Sequence, residues 1–179
     1  MVYVFLAEGF EEVEALTPVD MLRRCELDVK TVGVGGCNIT GSHGITVKTD
    51  ISDKDLILDD SVDMIVLPGG MPGTLNLEKS AAVQNSIDFC FNNKKYIAAI
   101  CAAPSILGHR GLLGGQSAVC FKGFESQLSG ARIADEKVCV SDNFITSKGP
   151  GTALDFSLKL VEILISKERS AVLASSLML

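Results

Sequence analysis

The chemistry open to this chain is concentrated in six cysteines, two histidines and a cluster of glutamates near its start. The cysteines stand at 25, 37, 90, 101, 120 and 139, so no C-x-x-C pair exists for a zinc site or a dithiol redox motif. One of them has an unusual address. Cys101 follows the apolar run 96–100 and precedes Ala102-Ala103-Pro104, with the small residues Ala99 and Ala103 two positions away on either side. Small flanks at a strand-to-helix turn permit a tight elbow that lifts a nucleophile out of a sheet. A thiol at a helix start also meets the positive end of the helix dipole, worth about 0.3–1 kcal/mol toward thiolate at an exposed site. The competing reading of Cys101 is a small buried hydrophobe, the ordinary fate of a free cysteine. That reading is preferred for the other five, which fall within or beside predicted elements.

Two further segments bring polar groups to the same end of the chain's architecture. Pro68-Gly69-Gly70 ends the apolar run 62–67. Glycines there bring backbone N–H groups close to a ligand, and with the N–H of Ala102 they could form an oxyanion hole beside Cys101. An ordinary strand-to-helix turn accounts for the pair equally well. Glu8, Glu11, Glu12 and Glu14 place four carboxylates in seven positions at the start of a helical pattern. Such residues usually compensate the helix dipole on the surface. Only one of them needs to point inward to matter.

These segments are held by alternating strand and helix patterns. Apolar runs at 2–7, 29–34, 62–67 and 96–100 predict buried strands, and 138–141 and 144–146 predict two late ones. Helical spacing covers 11–24, where Pro18 predicts a kink or a restart, and 80–91, with Ser80 as N-cap. A further helix follows Cys101-Ala102-Ala103-Pro104 and runs to about 107, another opens at Pro150 and extends to about 165, and a last one lies in 167–179. Glycines 33, 35, 36, 41 and 44 mark a hairpin region in which 45–49 alternates. The alternation predicts one α/β domain over 1–179 with a mostly parallel sheet, whose active crevice lies at the carboxyl ends of the strands.

Composition agrees with that and excludes several classes. At 179 residues with 47% hydrophobic and 21% charged, the chain can fill one core and is not disordered. A net charge of −6 gives no electrostatic reason to expect a nucleic acid or an anionic membrane as partner. No segment approaches the roughly 20 apolar residues of a membrane span, and the opening apolar run has neither a basic flank nor a cleavage pattern. The expected location is the cytoplasm, with the cysteines as free thiols.

Four collinear stretches carry a resemblance to a known family: 11–20 (EEVEALTPVD), 66–70 (VLPGG), 98–104 (AAICAAP) and 146–152 (TSKGPGT). Together they resemble the ThiJ/PfpI superfamily, and more closely its DJ-one branch. The resemblance implies a flavodoxin-like three-layer sandwich of the class I glutamine amidotransferase-like type, assembled as a homodimer. It implies Cys101 as reactive thiol, Glu14 hydrogen-bonded to the sulfur, and Gly70 and Ala102, with Gly69 beside them, as backbone donors. It implies no cofactor and no metal. The activities it suggests are cofactor-free glyoxalase or deglycase chemistry on α-oxoaldehydes or their adducts with proteins and nucleotides. The alternatives are a redox sensor or chaperone-like protein whose cysteine oxidises to sulfinate, and a thiamine (thiazole phosphate) biosynthesis role. No phosphate-binding glycine loop supports the last.

The departures narrow the reading. Where the branch often has a histidine near the cysteine, this chain has Val119-Cys120-Phe121-Lys122-Gly123. Phe121 and Pro150 are left as candidate pocket walls. His109 lies eight residues past Cys101, about 12 Å along a helix and too far for a direct bond. His43 and Arg24 match basic positions near the pocket of a partner subunit and rank second. The intracellular protease branch needs a histidine after the cysteine, and residue 102 is Ala. Glutamine amidotransferases need a downstream His-x-Glu, which is absent. A carboxyl of Glu14 against Cys101 would share one proton with it, with thiolate and protonated Glu14 expected near neutral pH.

Overall fold

The computed structural model describes residues 1–179. Seven strands form one sheet in the order β10-β11-β7-β6-β1-β2-β5. The strands are β1 (Val2–Leu6), β2 (Val29–Gly33), β5 (Ile51–Ser52), β6 (Met64–Leu67), β7 (Tyr96–Ile100), β10 (Val138–Ser141) and β11 (Phe144–Ser147). Every pairing is parallel except that of β10 with β11. The short hairpin β3 (Asn38–Thr40) and β4 (Thr46–Lys48) and the pair β8 (Ser117–Ala118) and β9 (Arg132–Ile133) stand apart from it.

The central strands are apolar at every position because both faces are covered. Alternation within β1 shows the division. Val2, Val4 and Leu6 join one apolar cluster, while Tyr3, Phe5 and Ala7 join the other. The first face is covered by α1 (Glu12–Arg24), α5 (Ala153–Leu164) and α6 (Lys167–Ser176), contributing Leu22, Phe156, Leu160 and Leu173. The second is covered by α2 (Gly73–Lys79), α3 (Ala81–Asn92) and α4 (Pro104–His109), contributing Leu77, Ile87 and Leu107. The result is a mostly parallel α/β domain, as the strand–helix alternation implies, with the three layers of the flavodoxin-like sandwich that the resemblance implies. No helix is long and apolar enough to cross a membrane.

Several local expectations hold closely. Ser80 caps α3 by accepting from the Val83 N–H at 3.4 Å. Pro150 opens a 3-10 turn, residues 150–152, that leads directly into α5. Two differ. The helix passes through Pro18 without restarting, since α1 stays packed along α5 and the sheet on both sides of the proline. And α2, hidden by its glycine-led start and Met71-Pro72, is an additional helix between β6 and α3.

Candidate active site

Strand order places β6 and β2 on opposite sides of β1, so the chain reverses direction across the sheet at β1. In such sheets the crevice opens at the carboxyl ends of the strands flanking that point. Four segments meet there. Glu14 sits in the first turn of α1 after β1, and Gly69 and Gly70 follow β6. Cys101 follows β7, and Gly149 and Pro150 follow β11.

Cys101 is held at φ +65°, a left-handed conformation that costs a side-chain-bearing residue about 1–2 kcal/mol. The backbone is locked there from two sides. Its N–H donates to the Ser147 carbonyl at 2.9 Å, and its carbonyl accepts from the Phe121 N–H at 2.8 Å. This is the elbow anticipated from Ala99 and Ala103, both fully buried. The N–H groups of Ala102 and Gly70 are near enough to the sulfur to favour its charged form. Gly70 can aim its amide this way because it adopts φ +89°.

Glu14 has no exposed surface, and its carboxyl lies against Cys101: a Cβ built on Gly69 would be 2.7 Å from Glu14 Oε2 and 3.1 Å from the sulfur. Its Oε2 accepts from the Gly69 N–H at 2.9 Å, while its Oε1 is buried without any partner. Gly69 therefore serves the carboxyl, not the sulfur as an oxyanion donor. Burial raises the Glu14 carboxyl to about 7, against the opposing pull of its bonds to Cys101 and Gly69. Burial, followed by the Glu14 charge, raises the Cys101 thiol as well, overriding the two amides. The six-residue α4 adds little dipole, so the thiol is not acidified on its own as the helix-start argument suggests. Glu14, at about 7, gives up its proton before the thiol does, so above pH 7 the pair carries one negative charge and keeps one proton between carboxyl and sulfur.

The raised carboxyl has a sign for stability. Between the ordinary 4.5 and the folded value of about 7, the unfolded chain ionises Glu14 while the folded chain keeps its proton. Stability from this residue is therefore full below pH 4.5 and is lost as pH rises through 7, by about 3 kcal/mol. Glu14→Gln stays neutral throughout. Denaturant unfolding at pH 4.5 and 8 is expected to show the variant gaining about 3 kcal/mol on the parent between the two. A difference that does not change with pH would remove the buried carboxyl from this role.

The remaining candidates divide. Phe121 and Pro150 both line a cavity of about 640 Å³ beside the pair. A Cβ built on Gly149 would lie 3.1 Å from the Phe121 ring and 3.8 Å from Glu14 Oε1, so the cavity wall reaches the carboxyl. His43 is not brought to Cys101 within the chain. Its Nδ1 pairs with Glu12 at 2.9 Å, and Glu12, although buried, is held down at about 2 by that imidazole and by backbone N–H groups. Arg24 ion-pairs with Asp20 at 3.1 Å at the far end of α1, ten residues from Glu14 or about 15 Å. His109 pairs with Glu78 at 2.6 Å, away from the sulfur. All six cysteines are free thiols. Sequence reasoning assigned no role to Ser147 or Gly149. Their only signal is the glycine-rich segment Ser147-Lys148-Gly149-Pro150-Gly151, whose contacts are long-range.

Fold and site together define a flavodoxin-like α/β protein with a cysteine mounted on a strained elbow and a buried glutamate against its sulfur. The model of the DJ-1/PfpI family matches residues 1–163. The chain belongs to that family. It is 36% identical to Protein dj-1beta of Drosophila melanogaster over 98% of this chain and 95% of that protein. It is 32% identical to a Caenorhabditis elegans protein named glutathione-independent glyoxalase DJR-1.2, over 91% of this chain and 87% of that protein. Among solved structures, oxidized Toxoplasma gondii DJ-1 superposes with a TM-score of 0.94 at 36% identity, covering 99% of this chain and 97% of that one.

Proposed function

We propose that the protein hydrolyses α-oxoaldehydes to 2-hydroxy acids, with Cys101 as nucleophile and Glu14 as proton carrier. The observation that carries this is the fully buried Glu14 carboxyl set against a sulfur that two backbone N–H groups also approach. The sulfur of Cys101 bonds to the aldehyde carbon, and the aldehyde oxygen takes the shared proton, giving a hemithioacetal. Gly70 and Ala102 steady the oxygen's charge as it develops. Glu14 then carries the proton of that carbon to the neighbouring carbonyl carbon, while the hydroxyl proton passes to the neighbouring oxygen, leaving a thioester of the 2-hydroxy acid. One carbon is oxidised and its neighbour reduced. Water adds to the thioester, the carbon–sulfur bond breaks and the thiol is restored. All atoms come from substrate, water and the pair. The glyoxalase name of the nematode relative supports this reading.

Glyoxal or methylglyoxal offered without glutathione is expected to be consumed, with glycolate or lactate appearing in equal amount. Absence of turnover would leave the second reading, an oxidation sensor. The amides of Gly70 and Ala102 that face the sulfur would equally hold sulfinate oxygens after two equivalents of peroxide. Adducts of dicarbonyls on proteins or nucleotides are substrates of the same class. Six free thiols suit the reducing cytoplasm. A homodimer is supported by Val13 and Leu154, exposed apolar residues that line one groove between α1 and the start of α5. Sedimentation is expected to give twice the 19.0 kDa chain mass.

A further inference from the structure

We infer that the 640 Å³ cavity beside Cys101 is a pocket for the substrate's tail, selecting α-oxoaldehydes that carry an aromatic ring, with Phe121 as the specificity-determining residue. This rests on the hydrolase reading above and names its substrate class. Glyoxal has no substituent to occupy such a space, whose volume is that of a site for a much larger ligand. Apolar side chains form part of the lining. Val119, Phe121, Ile133 and Pro150 contribute to it, and of the four charged residues beside them all but Lys122 have partners. Lys148 pairs with Asp135 at 2.7 Å, and Glu125 accepts from the Gly123 N–H at 2.8 Å.

Two of the chain's large exposed hydrophobics, Phe121 at 45% and Ile133 at 48%, lie in this one cavity. Large apolar side chains left open to water in a concave site beside reacting groups mark a surface that a ligand covers. The space between the Glu14 carboxyl and the Phe121 ring is kept open by Gly149. A side chain there would press on the Phe121 ring at 3.1 Å and stand 3.8 Å from the unpartnered Glu14 Oε1. A substrate bonded to Cys101 through its aldehyde carbon carries its remaining substituent on the adjacent carbon. Past Gly149, that substituent meets the face of Phe121 and the ring of Pro150. A flat ring fills such a slot with offset stacking that a methyl group lacks.

The test compares kcat/KM for phenylglyoxal and glyoxal in the parent, Phe121→Ser and Ile133→Asp. The ratio within each protein, set against the parent, cancels the inherent reactivity of the two aldehydes. Both variants are expected to lower the phenylglyoxal-to-glyoxal ratio about tenfold. Because Ile133 is half exposed, its variant remains informative if Phe121→Ser folds poorly. An unchanged ratio in Ile133→Asp and in any folded Phe121→Ser overturns the proposal. Calorimetry with mandelate, the expected product of phenylglyoxal, reads the pocket without turnover. Mandelate is expected to bind the parent at least tenfold more tightly than glycolate and to lose that margin in Ile133→Asp. If neither dicarbonyl is hydrolysed, the hydrolase reading fails, while this binding margin still supports an aryl pocket and its absence overturns it.

Discussion

Cys101→Ser and Glu14→Gln are each expected to abolish glyoxal hydrolysis, while both variants stay folded. A serine hydroxyl in the same elbow keeps the two amide contacts but is neither ionised by a shared proton nor comparably nucleophilic. Glutamine keeps the volume and the bond from Gly69 but cannot accept or return a proton. Loss of general acid–base catalysis alone accounts for about 10²–10⁴-fold. Because the two groups act as one unit, the double variant should be no slower than Cys101→Ser. Cys37→Ser, outside both the core clusters and the site, serves as control and should retain the parental rate. Product formation followed by chromatography, with thermal unfolding as a check on folding, decides the matter. Parental turnover in Glu14→Gln would sink the paired mechanism, and turnover in Cys101→Ser would sink the nucleophile.

Gly69→Ala should be nearly as damaging without touching a reacting atom. A methyl group at Gly69 would lie 2.7 Å from the Cys101 Cβ, 2.7 Å from Glu14 Oε2 and 3.1 Å from the sulfur. It has nowhere to go. Cys101 is fixed through Ser147 and Phe121, and Glu14 is carried by a helix packed against α5. Overpacking of this kind costs about 1–3 kcal/mol. The shift needed to admit the methyl would part sulfur and carboxyl by a fraction of an ångström to an ångström, a displacement that can cost about 10²-fold in rate. The matched control is Gly36→Ala, where a Cβ meets nothing within 4 Å and φ is not left-handed. Rates and unfolding curves for the two should diverge sharply. Equal behaviour would mean that the pair tolerates separation.

Much of the fold was readable in the sequence because both faces of the sheet are covered. Continuous apolar runs such as 96–100 admit little else when glycine, proline or small residues bound them. The elbow was legible for a similar local reason, since Ala99 and Ala103 bracket Cys101. The partnership of Glu14 was not. Four glutamates occupy the same seven positions, and only packing of α1 against the sheet decides which one turns inward, so the choice of Glu14 came from resemblance. The thiol's electrostatics were misjudged for a related reason. A strand–helix pattern reveals a short helix after Cys101, but not that burial of both partners outweighs the amides. Phe121 and Pro150 were open to reading as pocket walls beside the resemblance, whereas Ile133 joins them only through the tertiary fold.

The left-handed backbone at Cys101 has an evolutionary consequence. Glycine is the residue that this dihedral accommodates most easily, and it cannot react. Mutational drift under selection for thermal robustness alone would therefore favour discarding the sulfur. In a lineage that keeps a side chain at this position, retention is a record of continuing demand for its reactivity.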